Sequence, residues 1–141
     1  MKGLSVKYKA HEIVCREGDP STDLFYLNSG RLLICTINGT QVKAIARIGA
    51  GEYLGELSFF DGKPRASYIV ALEDSELIQI PKKDLEQSLP RWYMEINKNL
   101  TKKIRLLDHI IQASNLRRFG SEDQKPLSIQ EQRQLYTLLT K

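Results

Sequence analysis

The chain has 141 residues, 41 % of them apolar and 27 % charged, a globular mixture of single-domain size that excludes a disordered chain. Its net charge of +4 is uneven: residues 1–80 hold 9 Lys and Arg against 10 Asp and Glu, and residues 81–141 hold 12 against 7. Two cysteines, Cys15 and Cys35, exclude a multi-disulfide framework and an all-Cys zinc site. No apolar run approaches the roughly 20 residues of a membrane span. The N-terminus, MKGLSVKYKAHE, lacks the apolar stretch of a secretory signal, so a cytoplasmic chain is expected.

Up to Ile80 the chain reads as short strands between turns. Glu12 to Cys15 is an apolar run closed by Glu17-Gly18-Asp19-Pro20, and Leu24 to Leu27 is closed by Asn28-Ser29-Gly30. Arg31–Thr36 and Gln41–Ile48 flank Asn38-Gly39, a strong hairpin signal because both residues tolerate positive φ. Alternation along the second arm puts Val42, Ala44, Ala46 and Ile48 on one face. Tyr68–Leu72 and Glu76–Ile80 read as a further pair around Glu73-Asp74-Ser75. Regular short strands of this kind predict an antiparallel β-barrel or jelly roll.

After Pro81 the period becomes helical. A short helix is predicted over Lys82–Leu89, stopped by Pro90, and a long one from Arg91 to about Phe119. Leu100, Ile104, Leu107 and Ile111 are spaced 4, 3 and 4, an apolar seam that Leu106 and Ile110 widen. A continuous seam predicts a homodimer through the same helix of a second copy; burial wholly within one chain is the alternative. Gly120 and the polar residues through Pro126 break the helix, and Ser128 with Glu131 forms a capping box that opens a last short helix through Leu139. The expected class is thus mainly β with C-terminal α. Residues 1–119 form the barrel with its long helix, and 120–141 form a linker and short helical tail.

The residues with most chemistry lie between Tyr53 and Tyr68. Gly55 permits close backbone approach, and the amides after it open a helical turn whose dipole favours an anion. Arg65 brings a permanent charge and a forked donor set suited to phosphate. Glu56 would repel a phosphate in direct contact but can accept from sugar hydroxyls. Together they suggest a sugar phosphate. A surface ion pair between Glu56 and Arg65 is the plainer alternative.

Leu54-Gly55-Glu56-Leu57-Ser58 and Pro64-Arg65-Ala66-Ser67 resemble the phosphate-binding cassette of the cyclic nucleotide-binding domain, as in catabolite activator proteins and kinase A regulatory subunits. Glu17 to Gly30 resembles the first turn and strand of that family, and the likeness covers about residues 7–112. The resemblance implies that Arg65 pairs with the cyclic phosphate and Glu56 binds the ribose 2′-hydroxyl. The N–H groups of Leu57, Ser58 and Ala66 would line phosphate and sugar, Ser67 would add a hydroxyl, and the base would lie near Leu107, Asp108 and Ile111. Phe59, Ser67 and Tyr68 depart from the residues usual at those positions. Ala66 lacks the hydroxyl that some cGMP-selective members use there, which favours cAMP over cGMP; Asp108 favours guanine instead.

Other chemistry is thin. His11 and His109 are too far apart in the chain to suggest a metal site, and no nucleophile–base set suggests an enzyme. Cys15 and Cys35 read as core thiols, and Trp92 and Tyr93 as anchors of the long helix on the barrel. Arg117-Arg118 could touch phosphates, yet residues 120–141 are too few for a helix-turn-helix domain. The expectation is a cyclic nucleotide sensor module, with no cofactor beyond that ligand. Its rivals are a structural dimerisation module with a vestigial pocket and a nucleic-acid-binding adaptor that uses the basic half.

Overall fold

The computed structural model describes residues 3–113 and 125–141. Strands β1 (Leu4–Tyr8), β2 (Ile13–Cys15), β3 (Leu24–Ser29), β4 (Arg31–Asn38), β5 (Gln41–Gly49) and β6 (Tyr53–Leu54) precede helix α1 (Glu56–Asp61). Then come β7 (Tyr68–Ala71), β8 (Ser75–Ile80), α2 (Lys82–Glu86), α3 (Arg91–Ala113) and α4 (Ile129–Leu139). The strands form two antiparallel sheets, ordered β1-β8-β3-β6 and β2-β7-β4-β5. This is the expected jelly roll with C-terminal helices. The predicted helix from residue 114 to Phe119, with Arg117-Arg118 and the break over Gly120–Gln124, lies outside the described residues.

Alternation along the strands builds two apolar layers. Phe25, Leu27, Leu54 and Leu77 of one sheet meet Cys15, Leu32, Ile48 and Ile69 of the other in the central core. On the far face of the second sheet, Leu33, Cys35, Val42 and Val70 are covered by Leu127, Leu135 and Leu139 from the α4 segment. Each leucine buried there contributes about 1.5–3 kcal/mol. α4 opens with the predicted capping box: the Glu131 N–H donates to Ser128 Oγ at 3.1 Å, and the Ser128 N–H to Glu131 Oε1 at 3.1 Å.

Three local readings are corrected. Asn38 pairs with Gln41, so Gly39-Thr40 is the centre of the hairpin turn. Gly39 alone has positive φ, at 64°, as a type II′ turn requires. Ile34 pairs with Ala46 but Cys35 with Ala44, which leaves Ile45 as a bulge. That extra residue flips the face of β5. Val42 and Ala44 lie under α4, whereas Ala46 and Ile48 enter the central core. Finally, β7 and β8 do not pair with each other. β7 joins β2 and β4, and β8 joins β1 and β3, so the turn at Glu73-Asp74 carries the chain between sheets.

The helical side gathers on Leu24 and Ile80, where Phe59, Phe60, Leu85, Leu89 and Met94 pack together. α2 stops at Glu86, three residues before the predicted end. Ser88 and Leu89 then donate to the carbonyls of Leu85 and Glu86, three residues back, a tighter turn than α. α3 meets α1 through a polar side: Thr101 is 3 % exposed, and Arg105 reaches Asp61. Its apolar stripe is left outward, with Ile96, Leu100, Ile104 and Leu107 exposed by 52, 49, 45 and 58 %. Among the described residues of one chain, nothing buries this seam. Tyr93 does reach Phe60, at 6.4 Å between ring centroids, but Trp92 is 63 % exposed and anchors nothing on the barrel.

Candidate functional site: a buried guanidinium beside the first turn of helix α1

β6 delivers the chain to Gly55, which holds φ 84° and caps α1. The left-handed conformation favours glycine, and the space does too. A Cβ there would stand 2.5 Å from Arg65 Nη1 and 3.1 Å from the Asp23 carbonyl oxygen. The first helical hydrogen bond runs from the Phe59 N–H to the Gly55 carbonyl at 3.1 Å. The N–H groups of Leu57 and Ser58 precede that bond, so they belong to the first turn, which has no intrahelical acceptor for them.

Arg65 returns to this point from the loop after α1. It is 5 % exposed. Its Nη1 donates to the Gly55 carbonyl at 3.1 Å, and its Nη2 to Ser21 Oγ at 3.2 Å and to the Asp23 carbonyl at 2.6 Å. The guanidinium carbon lies 5.5 Å from the centre of the Phe25 ring, a cation–π contact. Every hydrogen-bond partner is a neutral oxygen. Nε is buried with no partner among the described residues, and no ion pair among them gives Arg65 a carboxylate. Burial pushes its pKa below the usual value, while the fields of Cys15, Asp23, Asp19 and Glu56 oppose that. A buried cation with an orphaned donor is costly unless something anionic completes it.

Glu56 does not pair with Arg65, which removes the surface ion pair as an account of these residues. The residue is exposed, yet crowding around its carboxyl pushes the pKa above the usual range. Its own backbone N–H and the Arg65 charge pull the other way, and Glu52 adds to the rise. Glu56 is thus an acceptor at the rim, within the field of a cation beneath it. Ser58 is buried, Leu57 and Ser67 are half-buried, and Ala66 is exposed.

The far end of α1 is closed differently. Asp61 accepts from Arg105 of α3 at both oxygens, Arg105 Nη2 lying 3.1 Å from Oδ1. Burial alone would push the Asp61 pKa up, but the bonds from Arg105 and from the Lys63 N–H outweigh it and hold it down. Of the three α3 residues expected near a base, Leu107 stands on the outward stripe, while Asp108 and Ile111 are half-buried. The structure brings Arg65 against Gly55 at the start of α1, with Glu56, Leu57 and Ser58 in the turn that follows and Ala66 and Ser67 next to Arg65 in the chain. Both thiols are inert core groups: burial pushes Cys15 to about 11 and Cys35 to about 12. Among the described residues no cluster of His, Cys, Asp or Glu could hold a metal, and no helix is long and apolar enough to cross a membrane.

Sequence reasoning missed Ser21 and Asp23. Asp23 serves twice. Its carbonyl accepts from Arg65, and its carboxylate accepts from the Gln79 side chain at 2.7 Å and from the Lys82 N–H at 3.2 Å, at the start of α2. The resemblance over Glu17 to Gly30 spans both residues but gave neither a role, and beyond it the signal was a cluster of short polar residues ahead of β3 (Ser21-Thr22-Asp23), because the key acceptor is backbone.

A family model of the cyclic nucleotide-binding domain matches residues 5–91. The chain belongs to that family. It is 31 % identical over 91 residues to cyclic nucleotide-gated channel alpha-4 of Mus musculus, covering 60 % of this chain and 16 % of the channel. It is 38 % identical over 78 residues to a cAMP-dependent protein kinase regulatory subunit of Aspergillus niger, covering 54 % of this chain and 18 % of that one. The domain thus spans less than a fifth of either relative's length. The crystal structure of Thermus thermophilus catabolite activator protein superposes with a TM-score of 0.63 at 25 % identity, covering 79 % of this chain and 54 % of that one.

Proposed function

We propose that this domain senses a 3′,5′-cyclic nucleotide, cAMP in preference to cGMP, without catalysing a reaction. The observation that carries the reading is Arg65: a nearly buried guanidinium that, among the described residues, is held only by neutral oxygens and leaves its Nε unpartnered. A cyclic phosphate would supply the missing anion and accept from Nε, and the N–H groups of Leu57, Ser58 and Ala66 would complete its shell. Glu56 would accept from the ribose 2′-hydroxyl, the one hydroxyl that ring closure leaves free on the sugar. Ala66 offers no hydroxyl to a guanine, which supports cAMP. The names of the relatives, a cyclic nucleotide-gated channel and a cAMP-dependent kinase subunit, agree with this ligand class.

Output runs through α3. A base between barrel and helix meets Asp108 and Ile111 first, and reaches Leu107 only if α3 rolls. That roll is the proposed response, because a ligand shifts an equilibrium only by binding one pose better than another. The outward stripe of Ile96, Leu100, Ile104 and Leu107 supports a homodimer as the form in which the roll is read. Sedimentation of the full chain tests this: Ile104→Asp shifts it to monomer, and a wild type already monomeric at high concentration contradicts the seam. A cytoplasmic location accompanies this reading.

Calorimetric titration of the wild type with cAMP, cGMP and a cyclic dinucleotide tests the ligand directly. The account predicts heat with cAMP, weaker binding of cGMP, and none with the dinucleotide. No heat with any of them, in a chain that still dimerises, supports the structural module instead.

A further inference from the structure

α4 is tied to the nucleotide cassette as well as to the sheet beneath it. Arg47 of β5 donates Nη1 to the Lys125 carbonyl, 3.0 Å away, ahead of the helix. Arg16, in the turn after β2, donates Nη1 to the Leu139 carbonyl at 3.1 Å. The last carbonyls of a helix lack intrahelical partners and carry the negative end of its dipole, so a guanidinium there is both donor and counter-charge.

The same turn is bonded to Arg65. The Arg16 N–H donates to the Asp19 carboxylate at 2.8 Å. The Asp19 carbonyl accepts from the Arg65 N–H at 2.9 Å, and the Gly18 N–H donates to the Arg65 carbonyl at 2.8 Å. A continuous run of hydrogen bonds therefore joins the end of α4 to the backbone of the residue whose side chain is the buried cation. Such a run carries coupling only if an element at one end has two states. α4 supplies one: it is 11 residues long, too short to be stable off the sheet, so it is either docked and helical or released and unwound.

We propose that α4 is a latch on the outer face of the β2-β7-β4-β5 sheet, with its docking thermodynamically linked to the Gly55–Ser67 cassette through the Arg16–Asp19 turn. A ligand that fixes Arg65 fixes the Gly18–Asp19 backbone, keeps Arg16 aimed at Leu139 and tightens α4. By reciprocity, releasing α4 weakens the ligand by the same factor. The identity of the ligand rests on the function proposed above; the link between cassette and helix does not.

Hydrogen exchange of α4 amides in the full chain tests the link, first without ligand. Gly55→Ala disturbs Arg65 without touching α4, and Arg65→Lys is the second disturbance should the first not fold. Either one is expected to speed α4 exchange by about fivefold or more, the lower end of ordinary site-to-site coupling, while β3 and β8 keep their protection. Arg16→Gln speeds α4 alike, and adding Gly55→Ala to it produces no further change in α4. Saturating cAMP slows α4 exchange in the wild type and not in Arg16→Gln. Unchanged α4 exchange in a folded cassette variant overturns the latch, whatever the nucleotide does. An intact response to Gly55→Ala, with no binding of cAMP or cGMP, overturns the ligand reading alone.

Discussion

The two ends of α1 each hold an arginine, and they solve burial in opposite ways. At the C-terminal end, Arg105 meets the Asp61 carboxylate, and the side chains are 19 % and 8 % exposed. Charge is matched by charge, and the pair ties α3 to α1. At the N-terminal end, Arg65 is buried as deeply but, among the described residues, is given only carbonyls and a hydroxyl, with one donor left over. The same six-residue helix thus has a carboxylate against a guanidinium at one end and none at the other, and the proposed function fills that second end with an anion from outside. The first arginine is structure; on the function proposed above, the second is a receptor.

Breaking the receptor end should have the largest effect. Arg65→Ala removes a buried charged contact worth about 2–5 kcal/mol, so cAMP affinity should fall by roughly thirtyfold to several thousandfold. Unchanged affinity in calorimetry would take Arg65 out of the site. Next comes Glu56→Ala, expected to cost about 1.5–3 kcal/mol for cAMP, the worth of a hydrogen bond to a charged group. Binding of 2′-deoxy-cAMP should barely change, and equal losses for both ligands would reject the ribose role.

The structural end gives a smaller, pH-dependent effect. The folded pKa of Asp61 lies below its ordinary 3.8, so its contribution is complete above that value and disappears as pH falls through the depressed one. Asp61→Asn should therefore cost about 1–3 kcal/mol at neutral pH and nothing in strong acid. Thermal melts of both proteins from pH 7 down to pH 2 should converge; parallel curves would mean the pair is not what holds α3. Smallest is the control, Glu95→Ala. Arg91 and Glu95 form an ion pair with side chains 92 % and 64 % exposed, so its loss should move stability by less than about 0.5 kcal/mol. A larger loss would dissolve the contrast between buried and exposed pairs.

What the sequence disclosed depends on whether side-chain type or long-range pairing sets the feature. Gly55 was legible as a point of close backbone approach, which calls for glycine, and Arg65 as the one arginine of its segment, with a forked donor set. The capping box at Ser128 was legible because both partners lie within four positions. The bulge at Ile45 was not, since nothing in Ala44-Ile45-Ala46 marks which residue drops out of register with β4. Nor was the sheet change between β7 and β8, because a polar turn serves a hairpin and a crossing equally well. The docking of α4 depends on an apolar outer face that Leu33, Cys35 and Val70 form only after the sheet is assembled. The contacts of Arg16, Arg47 and Arg65 end mostly on carbonyl oxygens, which every residue carries and no sequence advertises.

The most direct test of the central claim is the nitrogen-resolved NMR signal of Arg65 Nε–H, followed while cAMP is added. The account predicts a distinct, downfield signal that exchanges slowly with water once phosphate accepts from Nε, while Arg105 is unmoved. A protein that binds cAMP with the Arg65 signal unaltered, or one whose signals all stay in place at millimolar cAMP, would contradict it.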